Sequence, residues 1–325
     1  MSKPSLALIP CAYDTGKLYS VLPDTGAGDF TVSRNGNATY FDKDGILRTA
    51  LRNEPRFDFD PLTGQFRGVL VESNATNVLL NSETPATQTL LMTVAQRTIS
   101  FYGSGTVTLS GAFSATITGN VNPLIRTTFT FTPTATNLTI TPSGNVTRYQ
   151  LELGPVATSY IPTSGSQVLR PTDDIRRTNA QDLIGQTEGS VIVDFIPRAI
   201  NSNVLGLRNS TGVNEGVLVE FDSASRIDCF LAVNNIQGVV RIMTNLLPPN
   251  NRYRVAFGYK SGDNIVYING QLVGQTSQVF QLTNILTQIR LHSSWNFAGP
   301  NVHNLNTIIY KTRLSNTELQ ALSAL

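Results

Sequence analysis

Tyr253-Arg254-Val255-Ala256-Phe257-Gly258-Tyr259 runs through Lys260-Ser261-Gly262-Asp263 into Asn264-Ile265-Val266-Tyr267-Ile268, and then through Asn269-Gly270 into Gln271-Leu272-Val273-Gly274. Aromatic and β-branched residues dominate the two longer pieces, which is strand composition. Lys260–Asp263 is a short glycine-bearing hairpin loop. Asn269-Gly270 is the strongest two-residue hairpin signal, because both positions must take positive φ. The stretch therefore reads as consecutive antiparallel strands.

Working outward, Ser190-Val191-Ile192-Val193-Asp194-Phe195, Gly216-Val217-Leu218-Val219-Glu220-Phe221, Arg226-Ile227-Asp228-Cys229-Phe230-Leu231 and Val239-Val240-Arg241-Ile242-Met243 repeat the signal. Further upstream, Thr106–Ser110, Ala115–Thr118, Thr127–Phe131 and Leu138–Thr141 alternate polar and apolar residues, the mark of half-buried strands. Gly103, Gly111, Gly119-Asn120, Pro123, Pro133 and Gly144 punctuate them, as in a sandwich or barrel. One helix is expected, over 315–322, with Ser315 as N-cap and Glu318 three residues on. The fold class is all-β: tandem β-sandwich or jelly-roll modules, a C-terminal sandwich and one short C-terminal helix.

Asn81-Ser82-Glu83-Thr84-Pro85-Ala86-Thr87 and Ile161-Pro162-Thr163-Ser164-Gly165-Ser166 are polar, proline-broken joints. They divide the 325 residues into 1–80, 81–165 and 166–325. The first piece has weak periodicity and many turn residues, so its burial is expected to come from a partner or a trimer axis.

Only 14% of residues are charged, and the net charge is +2. A strong basic excess, which phosphate neutralisation requires, is missing, so nucleic acid is not expected as a partner. No apolar run reaches the roughly 18–20 residues of a membrane-spanning helix, and the Leu6–Ile9 patch is too short for a signal peptide. Cys11 and Cys229 are expected as reduced or buried thiols. With only His292 and His303 besides, no Cys/His zinc cluster is expected.

Several stretches together resemble bacteriophage tail-fibre, head-fibre and related virion proteins. They are Pro4–Pro10, Gly16–Pro23 with Gly28-Asp29-Phe30, Pro55–Asp60, Gly68–Glu72 and Thr76–Leu80. Ile99–Gly111, Tyr149–Gly154 and Ala157–Thr163 resemble the jelly-roll, carbohydrate-binding-module-like segment of those proteins. Arg254–Tyr259, Val266–Gly270, Tyr310–Ser315 and Glu318-Leu319 resemble a concanavalin A-like (laminin-G-like) lectin domain. The resemblance implies a fibre, spike or capsid-decorating protein, assembled in the host cytoplasm and residing in the virion. It further implies a homotrimer whose 1–80 region attaches to other virion proteins, while the 81–165 and 166–325 sandwiches project to host-surface glycan. The alternatives are a capsid cement protein without glycan binding and, third, a polysaccharide depolymerase.

Sugars present apolar C–H faces and hydroxyls, so a site combines an aromatic face with fixed polar groups. Trp295, the only tryptophan, lies with Asn296 in the loop His292–Asn301, and both are candidate glycan contacts against simple packing over a rim. Tyr102, and Tyr149 beside it as a weaker case, would line the middle piece's concave sheet, unless they are core. Laminin-G-like domains often hold calcium, for which Asp222, Asp228, Asp263, Asp42 and Asp44 are available. Asp42-Lys43-Asp44-Gly45 lacks the later carboxylate of a calcium loop and reads as a turn, so no cofactor is expected.

The chain is not expected to be an enzyme. It carries no Gly-x-Ser-x-Gly elbow, no phosphate-binding glycine-rich loop before a helix, and no histidine beside a plausible nucleophile. Glu220 and Asp222 fall on one face of a strand by alternation alone. His292 and His303 read as polar loop residues. Arg170, Arg176 and Arg177 with Asp173 and Asp174 read as a solvated linker face or inter-subunit ion pairs.

Overall fold

The computed structural model describes residues 2–211, 213–292, 299 and 301–325. The described residues are almost wholly β, with Asn316–Ser323 as their single helix. Two large antiparallel sheets face each other. The first runs Gln271–Thr276, Asn264–Ile268, Tyr253–Lys260, Glu188–Pro197, Asn301–Tyr310, Phe66–Glu72, Phe57–Phe59, with Leu6–Leu8 also paired to Asn301–Tyr310. The second runs Tyr13–Asp14, Lys17–Leu18, Phe30–Ser33, Asp174–Arg177, Gln288–Arg290, Ser202–Arg208, Gly216–Phe221, Ile227–Val233, Ile236–Met243.

Alternation explains how the sandwich closes. Val191, Val193, Phe195, Val255 and Phe257 of the first sheet share one core with Val217, Val219, Phe221, Cys229 and Leu231 of the second. The intervening Ile192, Ala256 and Tyr267 point the other way, where Leu314 and Leu319 of the helical segment bury them. Both faces of the Tyr253–Lys260 strand are thus covered, and its sequence is accordingly apolar at successive positions. Asn269 (φ 50°) and Gly270 (φ 78°) form the expected hairpin turn. Ser315 caps the helix: its hydroxyl accepts from the Glu318 amide at 3.3 Å, and the Glu318 carboxylate accepts from the Ser315 amide at 3.1 Å.

The middle piece packs on itself. Gln88–Leu91, Asn137–Ser143, Thr106–Gly111 and Ala115–Thr118 form one sheet, and Thr127–Phe131, Arg97–Tyr102 and Thr147–Leu153 the other. Ile99, Phe101, Val107, Leu109, Leu138, Ile140, Tyr149 and Leu151 fill the space between them.

The 1–80 piece is a correction. It does not stand apart from 166–325 but supplies strands to both sheets of the sandwich. Leu6 pairs with Ile309, Glu72 with Asn301, and Val32 with Ile175. The physical reason is the long Asn301–Tyr310 strand, whose free edge is covered by Phe66–Glu72 over one half and Leu6–Leu8 over the other. The burial that the first piece lacks comes from the chain's own C-terminal part. The middle module is therefore an insertion. Its entry and exit, Ala75–Asn77 and Val168–Arg170, pair antiparallel. Just beyond them, the Thr163 amide donates to the Ser82 hydroxyl at 2.8 Å.

Candidate functional site

Module and sandwich meet at a seam built on charge. Arg34, Arg56 and Arg170 are at most 1% exposed there. Arg56 lies between two carboxylates: its Nη1 is 2.7 Å from Glu72 Oε2 and its Nη2 pairs with Asp173. Arg34 Nη1 reaches Asp173 Oδ1 at 2.9 Å, and Arg198 pairs with Glu72 from the other side. The module is tied in by Ser159, whose amide and hydroxyl donate to Glu72 at 2.9 and 2.7 Å. Burial alone would push Glu72 up, but Arg170, Arg56 and Arg198 hold its carboxyl well below the usual range. The reading of Arg170 and Asp173 as a solvated linker face is corrected here: both are buried, because the exit strand passes through the seam.

Alongside this network runs a groove of about 260 Å³. Thr39, Tyr40 and Phe41 of a separate hairpin, Ala38–Phe41 paired with Leu47–Ala50, form one wall, and Tyr102, Leu124 and Arg126 of the module the other. Tyr102 is 4% exposed, at the end of the Arg97–Tyr102 strand. Its ring lies 6.3 Å from Phe41, with the guanidinium carbons of Arg148 and Arg126 at 5.3 and 5.9 Å from its centroid. Arg126 is fixed by donating to Ser100 Oγ at 2.7 Å and to the Thr158 carbonyl. Asp60, held by Arg67 at 2.6 Å, lines the sandwich side. Aromatic edges and convergent polar groups therefore meet in one concavity. Tyr149 does not share it: the residue is fully buried in the module core and its hydroxyl is pushed far up by burial.

A second cavity, also about 260 Å³, opens on the outer face of the second sheet. Glu220 and Asp228 stand directly opposite each other across neighbouring strands, with Asn201, Asn203 and Arg241 around them. Burial first, and then Asp228, raise the Glu220 carboxyl to about 7. Burial raises Asp228 to about 6 despite Arg241 at 2.9 Å. Glu220 Oε1 and Asp228 Oδ1 are buried without a hydrogen-bond partner. Asp222, on the same strand face as Glu220, also lines this cavity, but its carboxylate is held by Arg226 at 2.7 Å. Cross-strand register, which alternation within one strand cannot reveal, creates the Glu220–Asp228 pair.

Both histidines are corrected from loop residues to buried ones. His303 sits within Asn301–Tyr310 with Nε2 2.8 Å from Asp58, and His292 follows Gln288–Arg290 with Nε2 3.0 Å from Asp174. Burial lowers both, His292 to about 4. Trp295 and Asn296 lie outside the described residues. The calcium candidates are dispersed: Asp263 pairs with Arg313, Asp42 with Arg48 and Asp228 with Arg241. Among the described residues no three His, Cys, Asp or Glu side chains converge on a metal position. Cys11 is exposed and Cys229 buried, both as free thiols.

No family model matches the sequence, and no curated protein matches it. Among solved structures, the chain is similar to the CBM40 domain of the Ruminococcus gnavus IT-sialidase bound to α2,3-sialyllactose. That likeness has 13% identity and a TM-score of 0.37, over 43% of this chain and 84% of that one. It is also similar to domain 4 of AbnA, a GH43 extracellular arabinanase from Geobacillus stearothermophilus, in complex with arabinotriose (14% identity, TM-score 0.37, 52% and 82% covered). A third likeness is to the Trypanosoma rangeli sialidase (13% identity, TM-score 0.38), over 46% of this chain and 25% of that one.

Proposed function

We propose that this chain is a non-enzymatic structural protein of a bacteriophage particle, a fibre, spike or capsid decoration that touches host-surface glycan. The seam groove carries the glycan part of this reading: Tyr40 and Phe41 supply aromatic surface, backed by the buried Tyr102, while Arg126 and Asp60 supply fixed hydrogen-bonding groups. The particle part rests on the virion-protein resemblance of Pro4–Pro10, Pro55–Asp60 and Ala157–Thr163. Most strands of the first piece are built into the two sheets of the sandwich, with Ala38–Phe41 and Leu47–Ala50 as a separate hairpin, so attachment falls to this body's own surface rather than to a separate stalk. Each sugar contact is shallow. The homotrimer implied by the resemblance, repeated over a particle, raises the effective concentration instead.

Binding of the purified chain to host cells and to a glycan array tests this. Tyr40→Ala and Arg126→Ala are each expected to weaken binding by about tenfold, the usual scale of one aromatic or arginine anchor. Trp295→Ala tests separately whether Trp295 and Asn296 contribute. Binding unchanged in all three variants defeats the glycan reading and leaves a capsid cement role. Sedimentation addresses the trimer, and labelled-antibody imaging of particles addresses the location.

One observation favours a second reading, a polysaccharide depolymerase: the Glu220–Asp228 pair, with one carboxyl raised to about 7, in a cavity. New reducing ends released from host polysaccharide, and lost in Glu220→Gln, would establish it in place of the first.

A further inference from the structure

The two walls of the seam groove handle charge differently. On the sandwich side the carboxylates are engaged within the protein: Asp60 with Arg67 at 2.6 Å, and Asp58 with His303 Nε2 and the Phe41 amide, both at 2.8 Å. Arg198, which also lines the groove, pairs with Glu72.

On the module side, Arg126 gives its Nη groups to two neutral oxygens, Ser100 Oγ at 2.7 Å and the Thr158 carbonyl. Its Nε is buried without a hydrogen-bond partner. A guanidinium forks into more N–H donors than these two bonds use. The carboxylate that Arg126 attracts is Glu152, which is fully buried and accepts from the Thr158 amide at 3.0 Å and from the Thr158 hydroxyl. Burial raises Glu152 in spite of Arg126, so each charge compensates the other only in part.

Arg148 adds a second guanidinium, and the backbone is bent to place it. Between the Ser100–Gln150 and Tyr102–Thr147 pairs, Arg148 and Tyr149 together stand against Phe101, and Arg148 takes φ 48°. Apart from Ser225, the other described non-glycine residues at positive φ are asparagines, which tolerate that region; an arginine there is strained. Bulges re-aim side chains. This one sets the Arg148 guanidinium carbon 5.3 Å from the Tyr102 ring centroid, with that of Arg126 at 5.9 Å. The ring attracts both guanidiniums but supplies no counter-charge. Glu83, an exposed residue, acts together with Arg148 on the Tyr160 hydroxyl. Among the described residues, the arginines of this groove that form ion pairs are Arg67 and Arg198, not Arg126 or Arg148. Guanidinium forks pair two-to-two with carboxylate and sulfate oxygens.

We infer that Arg126 and Arg148 make the module wall of the groove selective for an acidic sugar, whose carboxylate or sulfate pairs with Arg126 while Arg148 adds its charge from beside Tyr102. This deepens the glycan reading of the groove and rests on it.

The full chain is titrated with oligogalacturonate, its neutral methyl ester and a sulfated oligosaccharide, at low and high salt. At least one acidic probe is expected to bind at least about tenfold tighter than the ester and to lose that advantage as salt rises. Arg126→Gln should remove most of the advantage. Arg148→Gln is the second variant should the first fold poorly, and should reduce the advantage by about threefold. Binding of the sulfated probe alone assigns sulfate as the recognised group, and binding of the uronate alone assigns carboxylate; either supports the inference. Neutral sugars bound here, with binding weakened in Tyr40→Ala and no preference for the acidic probes, keep the glycan reading and overturn the inference. Acidic binding that both arginine variants retain in full overturns it as well. No binding to these probes or to any glycan of the array defeats the glycan reading and the inference with it.

Discussion

The seam and the outer face of the second sheet are both rich in charge, and they arrange it in opposite ways. At the seam unlike faces unlike: Arg56 lies between Glu72 and Asp173, and Arg34 and Arg198 complete the set. On the outer face like faces like: Glu220 opposes Asp228 and Arg176 opposes Arg290. The two carboxyls respond accordingly. Glu72, deeper in the protein, is held well below the usual range by its three arginines, whereas Glu220 rises to about 7. Charges that hold an inserted module in place must be matched, because an unpaired buried charge costs several kcal/mol. Carboxyls left facing each other at a partly open surface lower the same penalty another way, by holding their protons to higher pH.

The largest effect expected from this contrast is at the seam. Glu72→Gln leaves Arg56, Arg170 and Arg198 short of a counter-charge and should destabilise the protein by about 3–5 kcal/mol in urea unfolding. A loss under about 1 kcal/mol would mean that the network does not hold the module. The outer face should respond with the opposite sign. Glu220→Gln is expected to stabilise the protein by about 1–2 kcal/mol at pH 8, because the raised carboxyl must ionise there against burial and Asp228. The contribution of Glu220 is fully present below its unfolded value of about 4.3 and is lost as pH rises through about 7. The parent should therefore lose stability across that window, and the variant should lose less, keeping only the fall that Asp228, raised to about 6, contributes. His292, lowered to about 4, works the other way: its contribution is present above about 6.5 and is lost as pH falls through about 4. With Glu220 replaced, the His292 rise and the Asp228 fall oppose each other, so the variant's stability should change less with pH than the parent's. The smallest effect is expected for Arg290→Gln, which relieves one like-charge contact and gives up the bonds to Gln288. Stability should stay within about 0.5 kcal/mol of the parent. A loss of several kcal/mol would make Arg290 a structural residue of the seam kind.

Much of the local structure was legible. The apolar run at 253–259, the Asn269-Gly270 turn and the Ser315/Glu318 capping box appear where the residues place them, because strand alternation, positive φ and capping are decided within a few neighbours. Tyr102 was singled out by residue type, but its groove partners Thr39, Tyr40 and Phe41 come from a piece read as separate. Nothing local marks Arg170 as buried while Arg176, six positions on, stays partly exposed; the two differ in which strand lies against them.

What this chain's residues determined alone is therefore the strands that alternate or run apolar within 106–141 and 190–274, the turns between them and the helix; the strands of 1–80 and the Asn301–Tyr310 strand carry no such local signal. Tertiary structure decided which strands share a sheet: Leu6 lies beside Ile309, and Glu72 meets both Arg56 and Arg198. It also decided which charges face their opposites and which face their own kind. Pairing between segments hundreds of residues apart is set by the burial of the whole sandwich core and the covering of its open edges, and no periodicity inside one segment records that.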